Sequence, residues 1–203
     1  MAVSQNLTVS LQSQSVVENT SAVKIRWTST QDGKSFNANT RTAYYYVSIN
    51  GGAETRYSVS YTLPQNSTKV IVDTTITVPH RADGTGQIKV RTWMDTKISA
   101  GVVTRTRDLT LPTIARATTP TLSATSVTLG NSVTINLPRA SSTFTHTVQY
   151  KIGSMAAYQI IKEGATTSTT FTPGLNIASA LPNSTSGKCS IKVYTYDGTK
   201  FIG

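Results

Sequence analysis

With one cysteine, two histidines and nine acidic residues among 203, the chain has little from which to build a disulfide, a metal site or a pair of catalytic carboxylates. Cys189 alone forms no intrachain bridge, and no Cys or His recurs at metal-ligand spacing. It stands in Lys188-Cys189-Ser190-Ile191-Lys192-Val193, an alternating run that predicts a buried or half-buried thiol on a strand. Long apolar runs are missing too, and residues 1–4 have neither a basic n-region nor an apolar stretch. No signal peptide or membrane span is expected, so synthesis in a cytoplasm is. Apolar residues reach only 37% and charged residues 14%, while Ser and Thr together make up roughly three residues in ten. Threonine branches at Cβ and carries a methyl group that packs on a pleated surface, which favours sheet over helix.

Charge of one sign is scarce and the other is not. Nineteen Lys and Arg give a net charge of +10 and a pI near 9.9, which raises nucleic acid, a membrane surface or an anionic wall polymer as partners. The basic residues are scattered, with no run beyond pairs such as His80-Arg81 and no interleaved aromatic platform, which speaks against nucleic acid. Long-range attraction to an anionic surface is left.

Chemistry is equally thin. Asp73, Asp83, Asp95 and Asp108 stand beside turns or strand ends, and none makes a recognisable acid pair. There is no Gly-x-Ser-x-Gly elbow and no phosphate-binding glycine loop. His80 and His146 lie in different halves of the chain, and each reads as a hydrogen-bonded structural residue. The expectation is a protein that is not an enzyme, with no catalytic residue, cofactor or metal. Asn-x-Ser/Thr sequons at Asn6, Asn19, Asn66 and Asn183 are expected by chance in so Thr-rich a chain.

What is present is alternation. In Val23-Lys24-Ile25-Arg26-Trp27 odd positions are apolar and even ones basic, the pattern of a strand with one wet face. Similar runs occupy residues 7–11, 43–49, 56–63, 69–78, 87–94 and 102–111, seven strands in all. Asn50-Gly51-Gly52 and Asp83-Gly84 punctuate them as turns. Register then buries Ile25, Trp27, Ile88 and Val90 and wets Lys24, Arg26 and Lys89. Residues 113–120 carry Pro120 just beyond Pro112 and lack alternation, which predicts an extended connection. Beyond it strands are expected at 121–124, 126–129, 132–137, 144–152, 157–161, 167–172 and 188–196, with a helical turn at 175–181 bridging two sheets. The expected fold is all-β, two tandem immunoglobulin or fibronectin-III-like β-sandwich domains at 1–112 and 121–203 joined by the linker 113–120.

Tyr44-Tyr45-Tyr46, with Tyr57, Tyr61, Trp27 and Trp93, is the feature most open to function. Successive strand residues face opposite ways, so Tyr45 points away from Tyr44 and Tyr46. An exposed aromatic beside Arg41 or Arg56 can stack on a sugar ring. Tyr45, Tyr57, Arg41 and Arg56 are therefore the candidate glycan or partner contacts, against the plainer reading of cross-strand packing.

Two stretches resemble a known family. Ile114-Ala115-Arg116-Ala117-Thr118-Thr119-Pro120, followed by Leu129-Gly130-Asn131-Ser132-Val133-Thr134-Ile135-Asn136-Leu137-Pro138-Arg139-Ala140-Ser141-Ser142-Thr143-Phe144-Thr145-His146-Thr147, resembles a largely uncharacterised siphophage tail-protein family from phages and prophages of Gram-positive bacteria. Val78-Pro79-His80-Arg81-Ala82-Asp83-Gly84 resembles the His-x-Ala-Asp-Gly turn of the same proteins. The resemblance implies a minor structural component of the virion near the tail tip, made in a bacterial cytoplasm. Its partners would be other tail proteins and further copies of itself, with a role in assembly and host attachment. The alternative is a carbohydrate-binding adhesin module that recognises host cell-wall polysaccharide. The final residues read as a strand at 188–196, a turn at Asp197-Gly198 and the opening of a partner strand. The resembling proteins continue further, so the second domain is expected to be truncated.

Overall fold

The computed structural model describes residues 3–33, 40–97, 101–181 and 183–203; Met1 and Ala2, at the head of the N-terminal run, lie outside them. Among the described residues the protein is all-β apart from one short 3-10 helix, and the chain divides into two units, Met1–Ile114 and Ala115–Gly203.

The first unit contains β1 (Val3–Ser15), β2 (Thr20–Gln31), β3 (Arg41–Ile49), β4 (Thr55–Tyr61), β5 (Ser67–Pro79), β6 (Gly86–Asp95) and β7 (Val102–Leu111). All seven runs of alternation are strands. They form two antiparallel sheets, ordered β1-β2-β5 and β4-β3-β6-β7. Val23, Ile25 and Trp27 have no exposed surface, and Leu7 and Val72 join them from the same sheet. Ala43, Val47, Ile88, Val90 and Met94 complete the core from the other sheet. Each buried Val, Leu, Ile or Met among them contributes about 1.5–3 kcal/mol, so the period-two pattern sets the register. Lys24 and Arg26 take the wet side, where Asp73 of β5 pairs with both. Between β3 and β4 the chain reverses through Asn50 and Gly51, at φ 54° and 78°, the two positive values that a tight hairpin turn demands.

The second unit contains β8 (Thr121–Leu122), β9 (Val133–Asn136), β10 (Phe144–Ile152), β11 (Gln159–Ala165), β12 (Ser168–Phe171), the 3-10 helix Leu175–Ala180, β13 (Cys189–Asp197) and β14 (Lys200–Phe201). Its sheets are ordered β12-β9-β8 and β11-β10-β13-β14. Counted from the start of each unit, the strand order is that of the first. Val133, Ile135, Val148, Ile152, Phe171 and Ile177 form its core, Ile177 being the buried residue of the 3-10 helix.

Two expectations need correction. Residues 126–129 form no strand, and Val127 and Leu129 are exposed, because two apolar side chains among Ser and Thr alternate without a neighbouring strand to pair with. The strand expected at 157–161 runs later, over Gln159–Ala165. Of the connection expected at 113–120, Ile114 is buried in the first unit and donates its N–H to the Gly84 carbonyl at 2.9 Å. Arg116 and Thr118 donate to the carbonyls of Ile202 and Pro138 in the second unit.

Candidate functional site

The face of the β4-β3-β6-β7 sheet turned away from the core carries the densest functional chemistry. Because Ala43, Tyr45 and Val47 point inward, Tyr44 and Tyr46 point out. Register sets Tyr44 opposite Trp93 and Tyr46 opposite both Arg91 and Arg56. The rings of Tyr44 and Trp93 lie 5.5 Å apart at 47°, with the Arg56 guanidinium 5.1 Å from the Tyr44 centroid. Beside them the Arg91 guanidinium sits 3.9 Å from the centroid of Tyr46. Arg91 also grips Glu54 with two bonds, Nε to Oε1 at 3.2 Å and an Nη to Oε2 at 2.5 Å. That grip holds the Glu54 carboxyl below its usual range and raises the arginine. The result is a flat band of half-exposed aromatic faces edged by hydrogen-bond donors, able to stack on the apolar side of a sugar ring while the arginines meet its oxygens.

The residues singled out in the sequence are spread over both faces of this sheet. Tyr45 and Tyr57 stack at 4.8 Å and 14° on the inward-pointing side, Tyr45 half-buried against the core and Tyr57 exposed on the edge strand. Burial, and then the neighbouring Tyr57, raise the Tyr45 hydroxyl pKa. Arg41 shares their parity and donates to the Thr96 carbonyl. Arg56 alone reaches the outer band. Trp93 and Arg91 were legible by the same rule. If Ile88, Val90 and Met94 are buried, residues 91 and 93 must point out.

The His-x-Ala-Asp-Gly turn is a structural hub. His80 is buried, with Nδ1 2.6 Å from the Gly84 carbonyl and Nε2 2.7 Å from the Ser21 hydroxyl. A carbonyl only accepts, so Nδ1 carries the proton. Asp83 Oδ1 accepts from the amide and the hydroxyl of Thr85, at 2.9 and 2.7 Å, and those bonds hold its carboxyl below the usual range. Gly84 takes φ 81°, and a Cβ on Gly86 would fall 2.9 Å from the His80 ring. The motif therefore needs both glycines, one for conformation and one for space.

In the second unit His146 is buried with Nδ1 3.1 Å from the Thr195 hydroxyl and no partner on Nε2 among the described residues. Burial, then the charge of Arg139, hold its pKa below the ordinary histidine value. Cys189 departs from expectation: it is exposed. Its parity is that of the core-facing Ile191 and Val193, but the sheet is open beside it. Among the described residues no three His, Cys, Asp or Glu side chains are grouped to hold a metal ion, and no helix is long and apolar enough to cross a membrane.

Residues 2–203 match the family model described as "Siphovirus protein of unknown function (DUF859)". No curated protein matches the chain.

Proposed function

The chain belongs to that siphovirus protein family, and on this premise we propose that it is a non-enzymatic structural component of the phage tail. The family match across nearly the whole chain carries this reading. The architecture supports it: two successive all-β units repeat one strand order, as in a protein built of modules. We read both units as immunoglobulin or fibronectin-III-like sandwiches. In each, the fourth strand lies beside the third rather than beside the fifth, as it would in an immunoglobulin constant domain. Partners on this reading are other tail proteins and further copies of the chain, docked through edge strands, at or near the tail tip of a particle infecting a Gram-positive host. Labelling the chain in purified particles and locating it by electron microscopy tests this. Density along or at the end of the tail is the expected result, and absence from particles overturns it.

A second reading, adhesion to host cell-wall glycan, is favoured by the outer band of Tyr44, Trp93 and Arg56. Binding to wall polysaccharide that Trp93→Ala abolishes would support it, since an aromatic platform loses its stacking face with that change.

A further inference from the structure

Both units carry cations beside aromatic rings on the outer face of their four-stranded sheet, and only one set is neutralised. In the first, the Arg91 guanidinium over Tyr46 is held by Glu54 through two bonds. In the second, Ile191 and Val193 pack against the core, so Ser190, Lys192 and Tyr194 point away from it. Register sets Lys192 opposite Gln149 of β10, and Gln149 opposite Ile160 of β11. The Lys192 ammonium stands 4.7 Å from the centroid of Tyr194 and 5.5 Å from that of Tyr158, which places Tyr158 on the same face. A hydrogen bond with the Tyr194 side chain raises the lysine pKa. Lys151 lies opposite Ser190, which makes it the diagonal neighbour of Lys192, and it donates to the Ala156 carbonyl at 3.4 Å. Among the described residues neither lysine is in an ion pair. The second unit holds seven Lys and Arg against two acids, Glu163 and Asp197. Beside the lysines Tyr158 and Ile160 are 37% and 54% exposed.

We propose that this patch on the second unit is a binding site for a saccharide that carries a phosphate group. Two unpaired ammonium groups on one face repel each other, and an anion between them relieves that repulsion. Phosphate suits them better than carboxylate, because β10, β11, β13 and β14 contain no arginine. A planar carboxylate is best met by the fork of a guanidinium, whereas lysine is a compact point charge that meets phosphate oxygens without demanding one plane. The Tyr194 hydroxyl, bonded to Lys192, has its own O–H to donate. Tyr158 and Ile160 supply the exposed apolar surface on which the C–H side of a sugar ring packs. A nucleic-acid strand fits less well, since its backbone needs a line of cations to follow. Here the cations gather at one end of the face, which continues past Tyr194 through Thr147, Thr145 and Tyr196 without another. The patch exists whether or not the chain is a tail component and whether or not its first unit holds glycan, so loss of those readings leaves this test standing.

The probes are glucose phosphate, glucose, inorganic phosphate and glucuronate, each titrated into the isotope-labelled full chain and followed by amide chemical shifts. Glucose phosphate is expected to shift the amides of Gln149, Ile160 and Lys192 and to bind about tenfold more tightly than the other three. Lys192→Gln, at an exposed position, should weaken it about tenfold with unchanged circular dichroism, and Lys151→Gln should act likewise. Lys69→Gln, which removes the same charge from the first unit, should leave binding unaltered. Tyr158→Ala should bring the sugar phosphate down to the affinity of inorganic phosphate. Inorganic phosphate binding as tightly as the sugar phosphate overturns the proposal by making the sugar irrelevant, and glucuronate binding as tightly does so by making the phosphate irrelevant. Full binding by both lysine variants, or shifts confined to the first unit, also overturns it. A thymidine oligonucleotide that shifts the same amides at lower concentration overturns it by making nucleic acid the occupant.

Discussion

The first and second units follow one strand order with unequal means. Among the described residues fifteen apolar side chains are buried in the first core and eight in the second, so the second has less burial with which to offset chain entropy. Strands β1 and β2 run 13 and 12 residues where their counterparts β8 and β9 run 2 and 4. The first unit locks its turns with side chains, His80 and Asp83 above all. The second keeps a cleft of about 820 Å³ between its sheets, lined by Leu122, Phe171 and Ile177 among others. Identical topology thus coexists with cores of different size, because order in a sheet specifies neighbours and not how much surface they bury.

The largest expected effect tests whether the units fold separately. Trp27→Ala deletes a fully buried indole and should cost the first unit about 3–5 kcal/mol. In denaturant, the transition of the first unit should fall toward or below that of the second, which should stay in place. A common shift of both transitions would break the comparison.

A smaller loss is expected at the locked turn. Gly86→Ala puts a Cβ 2.9 Å from the His80 ring and displaces the imidazole from Ser21 and Gly84. The first unit should lose about 1–3 kcal/mol, read from the midpoint of its transition, and Ser21→Ala should cost less in the Gly86→Ala background than in wild type, since the shared bond is already gone.

The pH response should single out the second unit. Its buried His146 binds a proton less readily when folded than when unfolded, where the ordinary value is about 6.5. Above that value both states are neutral and the stability contribution is complete. As pH falls below about 6.5 the unfolded state takes up protons first, so stability declines until the folded value is passed. Thermal melts at stepped pH should show the second transition falling between about pH 7 and 5, above the range in which the first unit's lowered carboxylates Glu54 and Asp83 take up protons, and His146→Gln should flatten that slope.

The smallest effect is expected on the wet face of the first sheet. Asp73→Asn removes the partner of Lys24 and Arg26, all partly exposed, and should shift stability by about 0.5 kcal/mol or less. High salt should erase even that difference.

How legible each part was follows from the physics of each signal. Val23, Ile25 and Trp27 declared their face because burying one side of a strand leaves no choice for its alternate residues. The outer band was half-legible: the parity separating Tyr44 and Tyr46 from Tyr45 was readable, while the partners Trp93 and Arg91 come from a strand 40 or more residues away. Val127 and Leu129 misled because alternation between Ser and Thr costs a loop nothing. Cys189 misled for the opposite reason. It has strand parity toward the core, yet it lines the cleft between the sheets and so stays exposed.

The amino-acid sequence by itself determined the class of the fold, the strands of the first unit and which of their side chains are dry, since period two and turn chemistry act over a few neighbouring residues. The tertiary structure alone decided which strands lie side by side and that both units share one order. Those outcomes depend on pairings between residues distant in the chain, and a local pattern carries no information about the partner it meets.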